Sequence, residues 1–255
     1  CPELTAEVKP GQFLMLRVRE GYDPYLRRPF SVYRVGHRKG TAVVSLLYKV
    51  VGQGTEMMSE IEKGEKVDIM GPLGNGFGIP AGMKTALLVA GGIGLPPVLF
   101  LAEAMRRRFK GSREIIFFYG GQSKADIVDL DRSQKSSTEV KICTEDGTLG
   151  SRMLVTGPLE EYLQSGAGTK AERGSTMIFA CGPKGMLKAV SSVAKRYDVP
   201  CQLSHGRGVR CESEIEITGS CGNRRYIRTR SGIVSRPCSV VTRGVRHPRL
   251  NGKCR

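Results

Sequence analysis

The chain has 255 residues, 40 Lys+Arg against 24 Asp+Glu for a net charge of +16, 33 Gly, 8 Cys and no Trp. That length holds one large domain or two ordinary ones, and 40% hydrophobic residues are enough for proper cores, which excludes wholesale disorder. Cys1, Cys143, Cys181 and Cys201 lie far apart in a large chain, which excludes a disulfide scaffold.

From Gly11 to about Pro80 the runs GQFLMLRV, RPFSVYRV, AVVSLLYKVV and EKVDIMGPL are short and rich in β-branched and aromatic residues, with Gly, Pro and Asp between them. These are strand signals, and their spacing predicts a small antiparallel β-barrel. The chain starts at Cys1 without Met and enters a strand-like run within a few residues, so a truncated N-terminal strand is expected. With no signal-peptide pattern, the expected location is cytoplasmic.

From Lys84 the pattern changes. TALLVAG reads as a buried strand and LPPVLFLAEAMRRRF as a helix, with Val98, Leu101, Ala102 and Met105 at helical spacing. EIIFFYGG, EVKICTEDG, MLVTGPLEEYL, TMIFACGP and GMLKAVSSVAKRY continue the alternation. Alternating strands and helices predict a doubly wound parallel sheet. Thr85 to Ala102 is 18 residues without a charge, long enough to suggest a membrane span. Gly91, Gly92, Gly94, Pro96 and Pro97 interrupt it, so a strand, a turn and a helix are expected instead. The fold class is therefore β + α/β, with a barrel over residues 1–80, an α/β domain over 83–200 and a tail over 205–255.

The strongest motif is LLVAGGIGLPP, in which a buried strand runs into Gly91-Gly92-Ile93-Gly94 and opens a helix. Glycines there let a ligand approach the backbone, and the helix N-terminus is expected to offer unpaired N–H groups to a phosphate. The usual dinucleotide fingerprint also needs an acid at the end of the next strand. That strand ends Tyr119-Gly120-Gly121, so the simple fingerprint fails. A third glycine turn follows at Ala180-Cys181-Gly182-Pro183, and strand ends of an open parallel sheet converge on one crevice. In the barrel, Arg27-Arg28-Pro29-Phe30-Ser31 sets two cations beside an aromatic ring and a hydroxyl. Arg can hold phosphate bidentately. Leu47-Tyr48-Lys49 adds an aromatic platform, and Gly52-Gln53-Gly54-Thr55 reads as a small-residue loop able to cradle a pyrophosphate.

RRPFSVYRV, LYKVVGQGT, GPLGNGF, VAGGIGLPPVLFLAE and FACGPKGMLKAV occur in the order found in ferredoxin-reductase-like flavoproteins. Over about residues 8–204 the chain most resembles the electron-transfer subunits of type B dihydroorotate dehydrogenases. The resemblance implies a barrel that binds FAD and an α/β domain that binds NAD. Arg28, Pro29, Phe30 and Ser31 would hold FAD, with Arg28 on its phosphates and Ser31 near the ring. Leu47, Tyr48 and Lys49 would flank the flavin, and Gly54 and Thr55 would meet the pyrophosphate. Gly92, Ile93 and Gly94, with Cys181, Gly182 and Pro183, would form the nicotinamide nucleotide site. No side chain is implied as an acid–base catalyst. The implied partner is an FMN-containing dihydroorotate dehydrogenase catalytic subunit, joined in a heterotetramer of pyrimidine biosynthesis. A small departure is Pro96, tolerable in a helix's first turn.

The large departure is the tail. The family carries a C-x4-C-x2-C motif and a later Cys that ligate a [2Fe–2S] cluster. Here Cys201, Cys211, Cys221, Cys238 and Cys254 are spaced 10, 10, 17 and 16 apart, so that motif is absent. Residues 205–255 hold 12 Lys+Arg against 3 Glu, a net +9, while the first 204 residues carry +7. Arg and Lys number 14 each before that point and 11 and 1 after it. We expect a reading-frame slip just after Ser204. The rival reading, a basic nucleic-acid-binding module, needs aromatics or a domain motif among the Arg, and the tail offers only Tyr226. Another NAD(P)H–flavin reductase subunit, serving ferredoxin or a hydrogenase, stays open, as does NAD against NADP, because Lys124 could meet a 2′-phosphate. His37, His205 and His247 are scattered and predict no metal site. Cys143 reads as a core residue, and Arg106-Arg107-Arg108 as the wet end of a helix.

Overall fold

The computed structural model describes residues 8–18, 26–38, 40–165, 174–205, 208–212, 236–238 and 241–245. Two sheets organise them. The first contains β1 (Phe13–Arg17), β2 (Arg28–Arg38), β3 (Thr41–Lys49) and β4 (Val67–Leu73), in the order β4-β1-β2-β3 with every neighbour antiparallel. Period-two burial explains the register: Leu14 and Leu16 point inward while Phe13, Met15 and Arg17 are half-buried. Phe30, Val32, Leu46 and Tyr48 join them in one core. Helix α1 (Gln53–Glu60) follows β3 and adds Met58 to that core.

The second sheet contains β5 (Thr85–Gly91), β6 (Glu114–Gly121), β7 (Glu139–Thr144), β8 (Ser151–Arg152), β9 (Thr176–Cys181) and β10 (Cys201–His205). Their order is β10-β9-β5-β6-β7-β8 and all are parallel. Helices α2 (Leu95–Phe109), α3 (Leu130–Ser136), α4 (Thr156–Gln164) and α5 (Lys184–Arg196) connect the strands. The central strand β5 is apolar because both faces are covered: Leu88 and Ala90 face the core under α2, and Leu87 and Val89 face the one under α4 and α5. Pro96 and Pro97 open α2, and Arg106, Arg107 and Arg108 end it, exposed, where a helix favours cations. The uncharged run from Thr85 to Ala102 is thus strand, turn and helix, and Cys143 is a core residue.

Chain order runs outward from β5 through β6, β7 and β8, then returns to its other side with β9 and β10. That reversal opens a crevice beyond the carboxyl ends of β5 and β9. The two sheets share a core, since Tyr33 and Leu47 of the first belong to the cluster built on Val98, Leu99 and Phe117. Three tail segments extend the sheets by backbone pairing: β11 (Gly208–Glu212) on β10, β12 (Arg236–Cys238) on β4 and β13 (Val241–Val245) on β3.

The reading of Gly52-Gln53-Gly54-Thr55 as a loop needs correction. Gln53, Gly54 and Thr55 form the first turn of α1. Thr55 explains the start: its hydroxyl oxygen accepts the Val51 and Gly52 N–H groups at 2.9 and 3.1 Å, the N3 half of a capping box with glycine in place of the usual N-cap side chain.

Candidate functional site

A small cleft, open to solvent, lies between the two sheets. Leu47, Tyr48 and Lys49, at the end of β3, form one wall; Gly92 and Ile93, from the 3₁₀ turn after β5, form another. Ala125, Asp126 and Val128 close it from the segment after β6. That segment is pinned by Tyr119, whose hydroxyl donates to the Asp126 carbonyl at 3.0 Å and accepts the Val128 N–H at 3.1 Å. Burial, reinforced by the Asp126 carboxylate, pushes the Tyr119 hydroxyl up to about 12, so it stays a neutral donor and acceptor. Lys49 reaches the Asp126 carboxylate at 3.2 Å, and the Gln122 N–H donates to the other carboxylate oxygen at 3.1 Å. This ion pair therefore spans the cleft from one sheet to the other.

The turns after β5 and β9 meet at the crevice. Gly92 has φ +50°, and a Cβ added there would touch nothing within 4 Å. Gly94 is different: a Cβ there would run into the Cys181 carbonyl. Gly91 and Gly182 both pack against the Met186 side chain, and Pro183 lies against Gly91. Gly94 thus lets the Cys181-Gly182-Pro183 turn seat directly on the first glycine turn. The expectation that the α2 N-terminus supplies N–H groups to a phosphate fails for its first turn. Pro96 and Pro97 have none, and the Leu95 N–H is bonded to the Gly92 carbonyl. Backbone donors for an anion must come from the glycine turn itself.

A second polar cradle stands at the start of α1. A Cβ on Gly54 would lie 3.2 Å from Arg28 Nε, so the Arg28 side chain rests on the helix's first turn, held by a 2.9 Å bond to the Leu26 carbonyl. A guanidinium beside a helix N-terminus suits an anion. Arg27 serves the fold instead, donating to the Asp68 carboxylate and, at 3.1 Å, to the Asp68 carbonyl. Pro29 is exposed and Ser31 half-buried. Phe30 turns inward and packs edge-on against Tyr48 with centroids 5.8 Å apart, so its ring is core.

The structure therefore gathers Leu47, Tyr48 and Lys49 with Gly92 and Ile93, Arg28 with Gly54 and Thr55, and Cys181, Gly182 and Pro183 with Gly91 and Gly94. Burial pushes the Cys181 thiol up to about 11, opposed by a hydrogen bond from Ser204, which leaves it neutral near pH 7. Asp126, Val128 and Met186 escaped the sequence reading. Asp126 and Val128 follow the second glycine turn, and Met186 sits in the first turn of α5, but only folding sets them against the cleft and the glycines.

The fit to cofactors divides. The Arg28 guanidinium beside the α1 N-terminus suits a pyrophosphate, and the Leu47, Tyr48, Gly92 and Ile93 walls of the cleft offer a largely apolar edge to a ring. Among the described residues no such fit is found for an iron–sulfur cluster. Among the described residues no group of three or more His, Cys, Asp or Glu is placed to hold a metal, and Cys143, Cys181 and Cys201 are not joined in disulfides. The backbones of Cys211 and Cys238 pair opposite Gln202 and Val67, on different sheets. Cys1, Cys221 and Cys254 lie outside the described residues, as do residues 1–7 of the expected N-terminal strand. Among the described residues no helix is long and apolar enough to cross a membrane.

Known proteins share this arrangement. Residues 2–77 match the family described as Oxidoreductase FAD-binding domain, and residues 88–192 match Oxidoreductase NAD-binding domain. The chain is 33% identical over 233 residues to the dihydroorotate dehydrogenase B (NAD(+)) electron transfer subunit of Desulforamulus reducens, covering 88% of this chain and 84% of that protein. It belongs to that electron transfer subunit family. The Clostridium acetobutylicum member is also 33% identical, over 86% of this chain and 81% of its own. An NADH-dependent reduced ferredoxin-NADP oxidoreductase, described in work on flavin-based electron bifurcation, is 25% identical with a TM-score of 0.64, covering 87% of this chain and 72% of that one. A cytochrome P450 reductase from Amycolatopsis, 22% identical at TM-score 0.61, shares the fold over 79% of this chain and 61% of its own. The chain is thus a flavin- and NAD-type oxidoreductase subunit with a β + α/β fold.

Proposed function

We propose that this chain is the FAD-bearing subunit that passes electrons from dihydroorotate oxidation, performed on the FMN of a separate catalytic subunit, to NAD⁺. The observation that carries this is the cleft shared by the end of β3 and the turn after β5, because a flavin and a nicotinamide must meet face to face. Arg28 and the first turn of α1 would hold the FAD pyrophosphate, and Ser31 would hydrogen-bond the ring. Leu47, Tyr48 and Lys49 would form its wall. Gly92, Ile93 and Gly94, backed by Cys181, Gly182 and Pro183, would seat the nicotinamide nucleotide. When bound, FAD would supply the redox chemistry. The protein's side chains position the two cofactors and exclude water; none is required to move a proton.

The purified protein is expected to show flavin absorbance and NADH–dye reductase activity without cluster absorbance. A colourless protein that takes up no FAD would overturn the reading. Co-purification with a dihydroorotate-oxidising, FMN-containing partner from the cytoplasm, in a heterotetramer, tests the partner. A second reading, a reductase subunit serving ferredoxin, is favoured by the likeness to the ferredoxin-NADP oxidoreductase. A ferredoxin partner in place of the dihydroorotate dehydrogenase would select it. The change in Arg and Cys usage after Ser204 supports a frame slip at that point. Sequencing the coding DNA decides it, and an intact frame would remove the proposal.

A further inference from the structure

Gln202 lies on β10 and is 5% exposed, although it faces the antiparallel sheet's connection rather than a ligand. Its amide pairs with both backbone groups of Gly78. The Gly78 N–H donates to Oε1 at 2.9 Å, and Nε2 donates to the Gly78 carbonyl at 2.8 Å. Gly78 stands on the connection that carries the chain from the first sheet to the second, five residues after β4 and seven before β5. Its neighbour Phe77 is tied to both: the Phe77 N–H donates to Pro10 at 2.8 Å, and its ring packs edge-on to Phe179 of β9 at 5.6 Å.

The same strand reaches the crevice. Two residues beyond Gln202, Ser204 pairs with Cys181 across β9 and hydrogen-bonds its thiol, and the Cys181 carbonyl is the surface on which Gly94 rests. One rigid strand thus touches the inter-sheet connection at Gln202 and the nicotinamide turn at Ser204. A buried amide that satisfies a backbone N–H and C=O together behaves like an added pair of sheet hydrogen bonds, and losing it strands both groups.

We infer that Gln202 is a positioning residue: by clamping Gly78 to β10 it sets the distance between the flavin wall and the nicotinamide turn. This rests on the reading of the cleft as a flavin–nicotinamide site. Transfer between two bound cofactors tolerates little displacement, and a misplacement near 1 Å costs on the order of a hundredfold. Each cofactor's own contacts lie elsewhere, so affinity should survive where rate does not.

The test compares the native full chain with Gln202→Leu and Gln202→Glu. In Gln202→Leu, kcat for NADH–dye reduction should fall by roughly tenfold to a hundredfold, with KM for NADH within about twofold and FAD retained. Amide hydrogen exchange in the FAD-free protein should show Gly78 losing protection while Phe77 keeps it. Gln202→Glu guards against simple misfolding. Its protonated carboxyl can accept from one oxygen and donate from the other, as the amide does. The native amide touches a backbone and the Met177 thioether at 3.7 Å, neither of which titrates. Turnover of Gln202→Glu should therefore recover as pH falls through the carboxyl's pKa, relative to native protein at the same pH. Native-like kcat in Gln202→Leu, or no recovery of Gln202→Glu on acidification, would overturn the clamp and leave the flavin reading standing. Failure of the native chain to bind FAD would instead overturn that reading and this inference with it.

Discussion

The turns after β5 and β6 look alike in sequence, each a buried strand running into paired glycines, yet they do different work. At Gly92 the space above the backbone is open and faces the cleft. At Gly120 a Cβ would lie 2.7 Å from Val155 Cβ, and at Gly121 it would lie 2.9 Å from Asp126 Cβ. In the first turn Gly92 leaves room for a ligand, while Gly91, Gly94 and the whole second pair leave room for the protein. A glycine at a strand end reports that something comes close, and only the packed structure says what.

Substitutions can break that contrast. The largest effect is expected at Gly94→Ala, whose Cβ meets the backbone carbonyl of Cys181, which cannot rotate away. Unfolding free energy should drop by about 3 kcal/mol, and NAD affinity should fall in parallel, both readable by urea melts and nucleotide titration. Gly120→Ala should cost about 2 kcal/mol by overpacking against Val155 while the folded protein binds NAD normally. Adding Val155→Ala should recover part of that loss, because the two positions touch. Gly92→Ala should cost only about 1 kcal/mol, for placing a side chain at positive φ, but it should weaken NAD roughly tenfold, equivalent to 1.4 kcal/mol. Equal nucleotide effects at Gly92 and Gly120 would erase the distinction.

Smaller effects concern the cleft's edge. Asp126→Asn removes the ion pair with Lys49, whose side chain is 46% exposed, and should cost less than about 1 kcal/mol, less still at high salt. The segment should stay in place, because Tyr119 holds its backbone. Alkaline pH probes the same region. Tyr119, Cys143 and Cys181 all have folded-state values raised above the ordinary ones, to about 12, 11 and 11. Their contribution to stability is complete below the ordinary values and lost as pH rises toward the raised ones. Denaturant midpoints should therefore fall between about pH 9 and 12, and alkylation of Cys181 should be slow at pH 8.

Much of the fold was legible because its signals are local. Period-two runs became β1 to β4, and wholly apolar runs became β5, β6 and β9. The candidate site was legible in part. Leu47, Tyr48, Lys49, Gly92 and Ile93, each picked out by a local motif, meet in one cleft. Phe30 stands beside the Arg pair in the sequence, but strand alternation turns its ring into the core. Pro96 and Pro97 were visible in the sequence, but their effect on the α2 N-terminus emerges only with the Leu95 bond that consumes the remaining donor. Gln202 and Gly78 are 124 residues apart, so no local pattern could join them.

The most direct test of the account is anaerobic mixing of the FAD-loaded chain with NADH in a stopped-flow spectrometer. The account predicts that one flavin per chain is bleached by NADH, and that Gly92→Ala slows this through weaker binding while the folded Gly120→Ala protein does not. A bound flavin that NADH leaves oxidised would contradict it.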